Sequence, residues 1–166
     1  GSALRVWNNS HDVKTLCDAS LGIREPEDLV VDNEGNIFFT DDTAGGLYEV
    51  DKDGDYKVTF DLGEDRSQVV WIRSATDSYG SLKVREVWSP GYKLDGGDLP
   101  AKVANRLLEH GHGLILGGWT KQKQYAMLVV KIPVSSTPQQ LRDAAEFAAG
   151  AADEIEKELT PGKDDL

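Results

Sequence analysis

Sulfur is almost missing from this chain of 166 residues, which has one cysteine, Cys17, and one methionine, Met127. A lone cysteine can neither close an internal disulfide nor build a thiolate metal cage, so neither device holds the fold together. Long apolar runs are missing too. Nothing approaches the ~20 consecutive apolar residues needed to cross a bilayer, and no basic start leads into an apolar stretch as in a signal peptide. A soluble, cytoplasmic protein without a membrane partner is the expectation. Basic residues are in deficit: 18 Lys and Arg stand against 29 Asp and Glu, for a formal charge of −11. Clustered Lys and Arg are what phosphate backbones require, so nucleic acid is not an expected partner. What the chain does have is 39% hydrophobic residues, enough for a core, in a length that suits one ordinary domain or two small ones. Gly1-Ser2 has the look of the scar of a cleaved expression tag, which leaves open whether the native start has been lost.

The negative charge is confined to one half. Residues 1–65 carry 16 Asp or Glu and five Lys or Arg, an excess equal to the whole formal charge, while the remainder carries 13 of each sign. Such a step suggests two modules, an acidic β-meander over residues 3–65 and a sheet-and-helix module over residues 66–160, with residues 161–166 as a frayed tail. A solvated face is the plain reading of the acid; a cation site or a basic partner is the other.

Within the first module, short apolar runs alternate with turn residues. Leu29-Val30-Val31, Ile37-Phe38-Phe39-Thr40, Leu47-Tyr48-Glu49-Val50 and Tyr56-Lys57-Val58-Thr59-Phe60 are rich in β-branched and aromatic side chains and are fenced by Asp, Asn and Gly. That pattern predicts a four-stranded antiparallel meander. Upstream, Ala3-Leu4-Arg5-Val6-Trp7 and Val13-Lys14-Thr15-Leu16-Cys17 read as a further hairpin. In a strand, Cys17 is expected to be a small buried hydrophobe. Asp51-Lys52-Asp53-Gly54-Asp55 begins like an EF-hand loop, but its glycine comes at the fourth place and Leu62 occupies the twelfth, so a turn is expected.

The run Pro26-Glu27-Asp28-Leu29-Val30-Val31-Asp32-Asn33-Glu34-Gly35-Asn36-Ile37-Phe38-Phe39-Thr40-Asp41, within residues 23–62, resembles one blade of the NHL or gluconolactonase-like β-propellers. The resemblance implies a β-meander blade and, in the enzymes of that group, a divalent cation such as Ca²⁺ that polarises a lactone carbonyl. Glu27 is the residue that matches a cation-ligand position. A propeller closes only with about four to eight blades, so this single blade must lean on something else.

In the second module, Gln68-Val69-Val70-Trp71-Ile72-Arg73 and Leu82-Lys83-Val84-Arg85-Glu86-Val87-Trp88 predict a hairpin around Asp77-Ser78-Tyr79-Gly80. A short helix follows, capped by Asp98, with Val103, Leu107 and Leu108 inward, stopped by the glycines of Glu109-His110-Gly111-His112-Gly113. A second hairpin, central in the sheet, pairs residues 114–120 with residues 125–132 through the polar 121–124. The closing helix is the clearest element: Thr137 caps it, Pro138 sits in its first turn, Gln140 completes a capping box, and Leu141, Ala145, Ala148, Ala152, Ile155 and Leu159 form one apolar stripe.

Residues 66–160, through this ββαββα order, the run Val103-Ala104-Asn105-Arg106-Leu107-Leu108 and the opening Thr137-Pro138-Gln139-Gln140-Leu141-Arg142, resemble the YbjN and type III secretion chaperone-like family. The resemblance implies a small α+β unit without catalytic residues, often dimeric, that binds other polypeptides.

The candidate chemistry is sparse. His110 and His112 stand at a glycine-rich helix end with no evident third ligand, so they read as helix-end residues rather than zinc ligands. No Gly-x-Ser-x-Gly elbow supports a Ser-His-Asp site, and Gly117-Gly118 lacks the Lys-Ser or Lys-Thr of a phosphate loop. Trp71, Trp88 and Trp119 all lie on predicted strands, as core or as a binding surface. The expectation is an α+β protein whose meander packs on, or extends, the sheet of the helical module. It is expected to bind another polypeptide or a second copy of itself without catalysis. A divalent-metal propeller hydrolase fragment and a small-molecule-binding protein are the alternatives.

Overall fold

The computed structural model describes residues 3–7, 13–18, 26–31, 37–41 and 47–48 as strand backbone, and residues 49–51, 54–63, 66–162 and 166 with their side chains. The chain is α+β. An antiparallel hairpin, β1 (Ala3–Trp7) with β2 (Val13–Asp18), precedes one open eight-stranded antiparallel sheet. The meander strands β3 (Pro26–Val31), β4 (Ile37–Asp41), β5 (Leu47–Val50) and β6 (Tyr56–Gly63) run on directly into β7 (Arg66–Tyr79) and β8 (Leu82–Lys93). Beyond β8 the order is β10 (Tyr125–Pro133) and then β9 (Gly118–Gln122) at the edge. The meander therefore extends the sheet of the helical half, with β6 pairing β7 from Tyr56↔Ile72 to Gly63↔Arg66. The expected turns at residues 8–12, 32–36 and 42–46 and the tail at 163–165 lie outside the described residues.

Alternation along the strands gives the sheet two different faces. Val70 and Ile72 of β7, Val87 of β8, and Leu128, Val130 and Ile132 of β10 are buried against α2 (Pro138–Leu159). The helix presents Leu141, Ala144, Ala145, Ala148 and Ala149, small side chains that let its backbone come close to the sheet and lose little rotamer entropy. Its start is as expected: Thr137 Oγ1 accepts from the Gln140 amide, Gln140 Oε1 accepts from the Thr137 amide, and Pro138 opens the first turn.

Several local expectations change. The β7–β8 strands are longer than the apolar runs suggest, because a register shift between Ile72 and Thr76 absorbs the polar residues there. Arg85 donates to the carbonyls of Arg73 and Ser74, while Ser74 donates its amide and hydroxyl to Asp55 Oδ1, so the irregularity is satisfied from both sides. Asp98 does not cap α1 (Ala101–Gly113): Pro100 stands at the N-cap without a side-chain bond, and Asp98 accepts from Lys121 instead. Leu107 is buried, Val103 packs beside it, and Leu108, 100° further round, is 70% exposed. The helix also runs through Gly111 to Gly113. The second hairpin starts later than expected because Gly117, at φ +76°, breaks the extended run, and it turns on Lys123 and Gln124 alone. Only β10 of that pair is internal; β9 is an outer strand.

A polar cluster missed by the sequence pattern locks α2 over the β6–β7 junction. Arg66, the first residue of β7, donates to Asp153 at 2.6 Å and to Glu156 at 2.9 Å, all three with side chains at most 13% exposed. Lys157 adds a contact of 2.8 Å to Asp153. Burial pushes the Asp153 carboxyl up, but the hydrogen bonds from Lys157 and Arg66 outweigh it and hold the group below its ordinary value. Arg66→Ala leaves two carboxylates in a nearly dry site, and we expect a loss of stability on the order of 3 kcal/mol in urea unfolding. Because the folded Asp153 value is depressed, its contribution is complete above the unfolded value near pH 4 and fades as pH falls through the folded value. The stability gap between wild type and Asp153→Asn should therefore narrow on acidification below about pH 4; a gap that stays constant or widens there contradicts the assignment.

Candidate functional site

The site begins as a seam between the two helices. Arg106 of α1 grips Glu158 of α2 through Nε and Nη2, with both carboxylate oxygens engaged at 2.7–3.0 Å. The hydrogen bond from Arg106 holds the Glu158 carboxyl below its ordinary value. Four residues on along α1 and four back along α2, His110 Nε2 faces Glu154 Oε2 at 3.5 Å. The helices thus run antiparallel, with Leu107 and Ile155 buried beneath this row together with Ala126 of β10.

His110 is fixed from the sheet side. Trp119 of β9 donates Nε1–H to His110 Nδ1 at 3.0 Å, the rings lying 5.8 Å apart. An indole N–H only donates, so Nδ1 must accept and the imidazole hydrogen belongs on Nε2, toward Glu154. Trp119 reaches this position because β8 carries Gly91 beneath it. A Cβ there would come 2.5 Å from the indole ring and 3.2 Å from the carbonyl oxygen of Ala152 in α2.

At Gly113 α1 stops while α2 continues beneath it. The uncovered stretch of α2 forms one side of an open groove of about 550 Å³, within the volume range of ligand sites. Its floor is Gly150 and Ala151; Phe147, Leu114 and Ile115 supply apolar walls, and Ile115 is 88% exposed. The polar groups at its margin are Glu109, His110, Glu146 and Glu154. Gly150 lies in the middle of a helix, where a Cβ would meet nothing within 4 Å. Glycine there costs about 1 kcal/mol relative to alanine, and its local effect is to deepen the groove floor.

The three tryptophans divide between the two faces of the sheet. Trp71 and Trp88 are cross-strand partners on the face away from α2. Trp88 donates to Glu86 at 3.0 Å and lies under the Arg73 guanidinium, 4.8 Å from the ring centroid, within the charge row Asp55, Arg73, Glu86 and Lys131. Trp119 belongs to the helix side and to the groove's support. Glu27 lies on β3 and Cys17 on β2, with side chains outside the described residues. Among the described residues no three His, Cys, Asp or Glu side chains come together as a metal site, and no helix is long and apolar enough to cross a membrane. The Asp55 amide donates to Asp51 Oδ1, the Gly54 amide donates to the Asp51 carbonyl and the Asp51 amide to the Asp55 carbonyl, with Gly54 at φ +83°. His112 is exposed at the end of α1.

The chain matches no family model, curated protein or solved structure.

Sequence reasoning missed the groove, although one signal was present: Glu146, Gly150, Glu154 and Glu158 recur every fourth residue on α2, and Arg106 and His110 do so on α1. The Trp119 bond is testable directly. Trp119→Phe keeps most of the ring contact but removes the donor. We expect a cost of about 1–2 kcal/mol in thermal unfolding, and the wild-type imidazole ¹⁵N spectrum of His110 should carry the Nε2–H tautomer signature. A wild-type spectrum showing Nδ1–H would contradict the geometry.

Proposed function

We propose that this protein is a non-catalytic polypeptide-binding module, chaperone-like or adaptor-like, whose docking site is the groove past the end of α1. The observation that carries this reading is the interrupted helix seam. The face of α2 that α1 covers up to His110 continues for two more turns with an apolar floor, an exposed isoleucine and no covering helix among the described residues. A partner segment placed there buries the same kind of surface that α1 buries. β9 lies at the sheet edge, paired only with β10 among the described residues, and its outer side offers main-chain groups to an extended partner. The resemblance of residues 66–160 to secretion chaperone-like domains agrees with a binding role. A shared sheet then joins the two parts into one scaffold.

Display of a random peptide library on the whole protein tests the reading. Enriched peptides should bind wild type and lose at least about tenfold in affinity to Gly150→Trp, which fills the groove from an exposed helix position, and to Ile115→Glu. Unchanged melting temperatures for both variants would show that the scaffold is intact. Failure to enrich any peptide, or binding indifferent to both substitutions, would overturn the proposal.

A further inference from the structure

The groove's chemistry narrows the partner, on the reading that the groove docks a polypeptide. Along the seam, α2 offers the row Glu158, Glu154, Gly150, Glu146 at four-residue intervals, one helical turn apart. The first two carboxylates already meet α1: Glu158 takes the Arg106 guanidinium and Glu154 takes the imidazole edge of His110. Then α1 ends, so Gly150 and Glu146 face the groove with no α1 side chain opposite, and Glu109 brings a further carboxylate from the α1 side. Among the described residues Glu146 pairs with its exposed helix neighbour Arg142, at 2.8 Å, and its own side chain is 50% exposed.

We infer that the groove takes a basic amphipathic segment of a partner polypeptide, whose Lys or Arg side chain continues the row begun by Arg106 and His110 and whose apolar side packs on Phe147 and Ile115. Charge complementarity selects this occupant. An acidic segment would bring carboxylates against Glu109, Glu146 and Glu154, and a neutral one would partly desolvate those groups without adding a cation beside them. The absence of a Cβ at Gly150 gives room beside the carboxylates for the long stem of a lysine or arginine, which packs apolar methylenes while its head reaches the glutamates.

Three labelled helical peptides of equal length and apolar pattern separate the possibilities. One carries Lys at every fourth position, one Gln and one Glu at those places. With the whole protein at low salt, fluorescence anisotropy should show the Lys peptide binding about tenfold or more tightly than the Gln peptide, with the Glu peptide weaker still. Glu146→Gln, at an exposed position outside the helix seam contacts, should weaken the Lys peptide several-fold and leave the Gln peptide unchanged. Gly150→Trp should abolish both. Equal binding of the Lys and Gln peptides, both lost in Gly150→Trp, would overturn basic recognition while leaving polypeptide binding in place. Lys-peptide binding that survives Gly150→Trp would place the contact elsewhere on the acidic surface and overturn the inference. No binding by any of the three would overturn this inference alone, because peptides enriched from the library report separately on the groove as a polypeptide site.

Discussion

Arg66 enters the sheet at the start of β7, where the acidic strands give way to the strands that α2 covers, and its guanidinium reaches Asp153 and Glu156 on the last turns of that helix. Two carboxylates in so dry a place need a cation, which Arg66 supplies to both and Lys157 to Asp153, and a buried guanidinium in turn needs carboxylates beside it. The interaction is therefore less a source of net stability than a condition on geometry. Alternative packings of α2 that slide it along the sheet must strand a charge. Nearby, Gln68 extends the same constraint into the core, donating to Pro90 O and Ser89 Oγ, while Ser89 donates to Val69 O. Pro90 lies next to the register shift between β8 and β10, where a missing amide proton does least harm to the ladder.

With α2 fixed by charge at one end, its small side chains and Gly91 fix how near it lies. The alanines of α2 bring its backbone down onto β8 and β10, and the missing Cβ of Gly91 leaves the space that the Trp119 ring fills. Trp119 in turn holds His110, and His110 with Arg106 holds α1 against α2. The position of the groove thus follows from a chain of contacts that starts at Arg66 and passes through α2, Gly91 and Trp119. Each link is a matter of charge pairing, steric fit or hydrogen-bond polarity, and among the residues named His110 also lines the groove.

The fold was largely legible in the sequence because its signals are local. The four meander strands, the α2 capping box and the apolar stripe of α2 depend on residues within a few positions of one another, and all are present. The long β7–β8 hairpin was read short because Ser74 to Ser78 look like loop residues; their place in the strands depends on Arg85 and Asp55, which are distant in sequence. Residue type alone suggests Asp98 as a cap, while its competing partner Lys121 lies 23 residues away. The three tryptophans were grouped because each sits on a strand, but which face each one takes depends on register, and register placed Trp119 opposite Leu128 on the helix side. The groove escaped notice for a related reason. Glu146, Gly150 and Glu154 look like an ordinary solvated face until α1 is known to cover one part of it and to end before the rest.

That early end of α1 is itself explained by the sheet. Residues leaving Gly113 must reach β9 at the edge, and Gly117 at φ +76° approaches Val129 so closely that a side chain there would collide with the β10 backbone. The chain turns away from α2 at the first place where it can descend to the sheet edge, leaving Leu114 partly buried and Ile115 outside. The uncovered length of α2 is therefore a consequence of joining a helix to an edge strand through a short connection, and the glutamates along it give that uncovered length its chemical character.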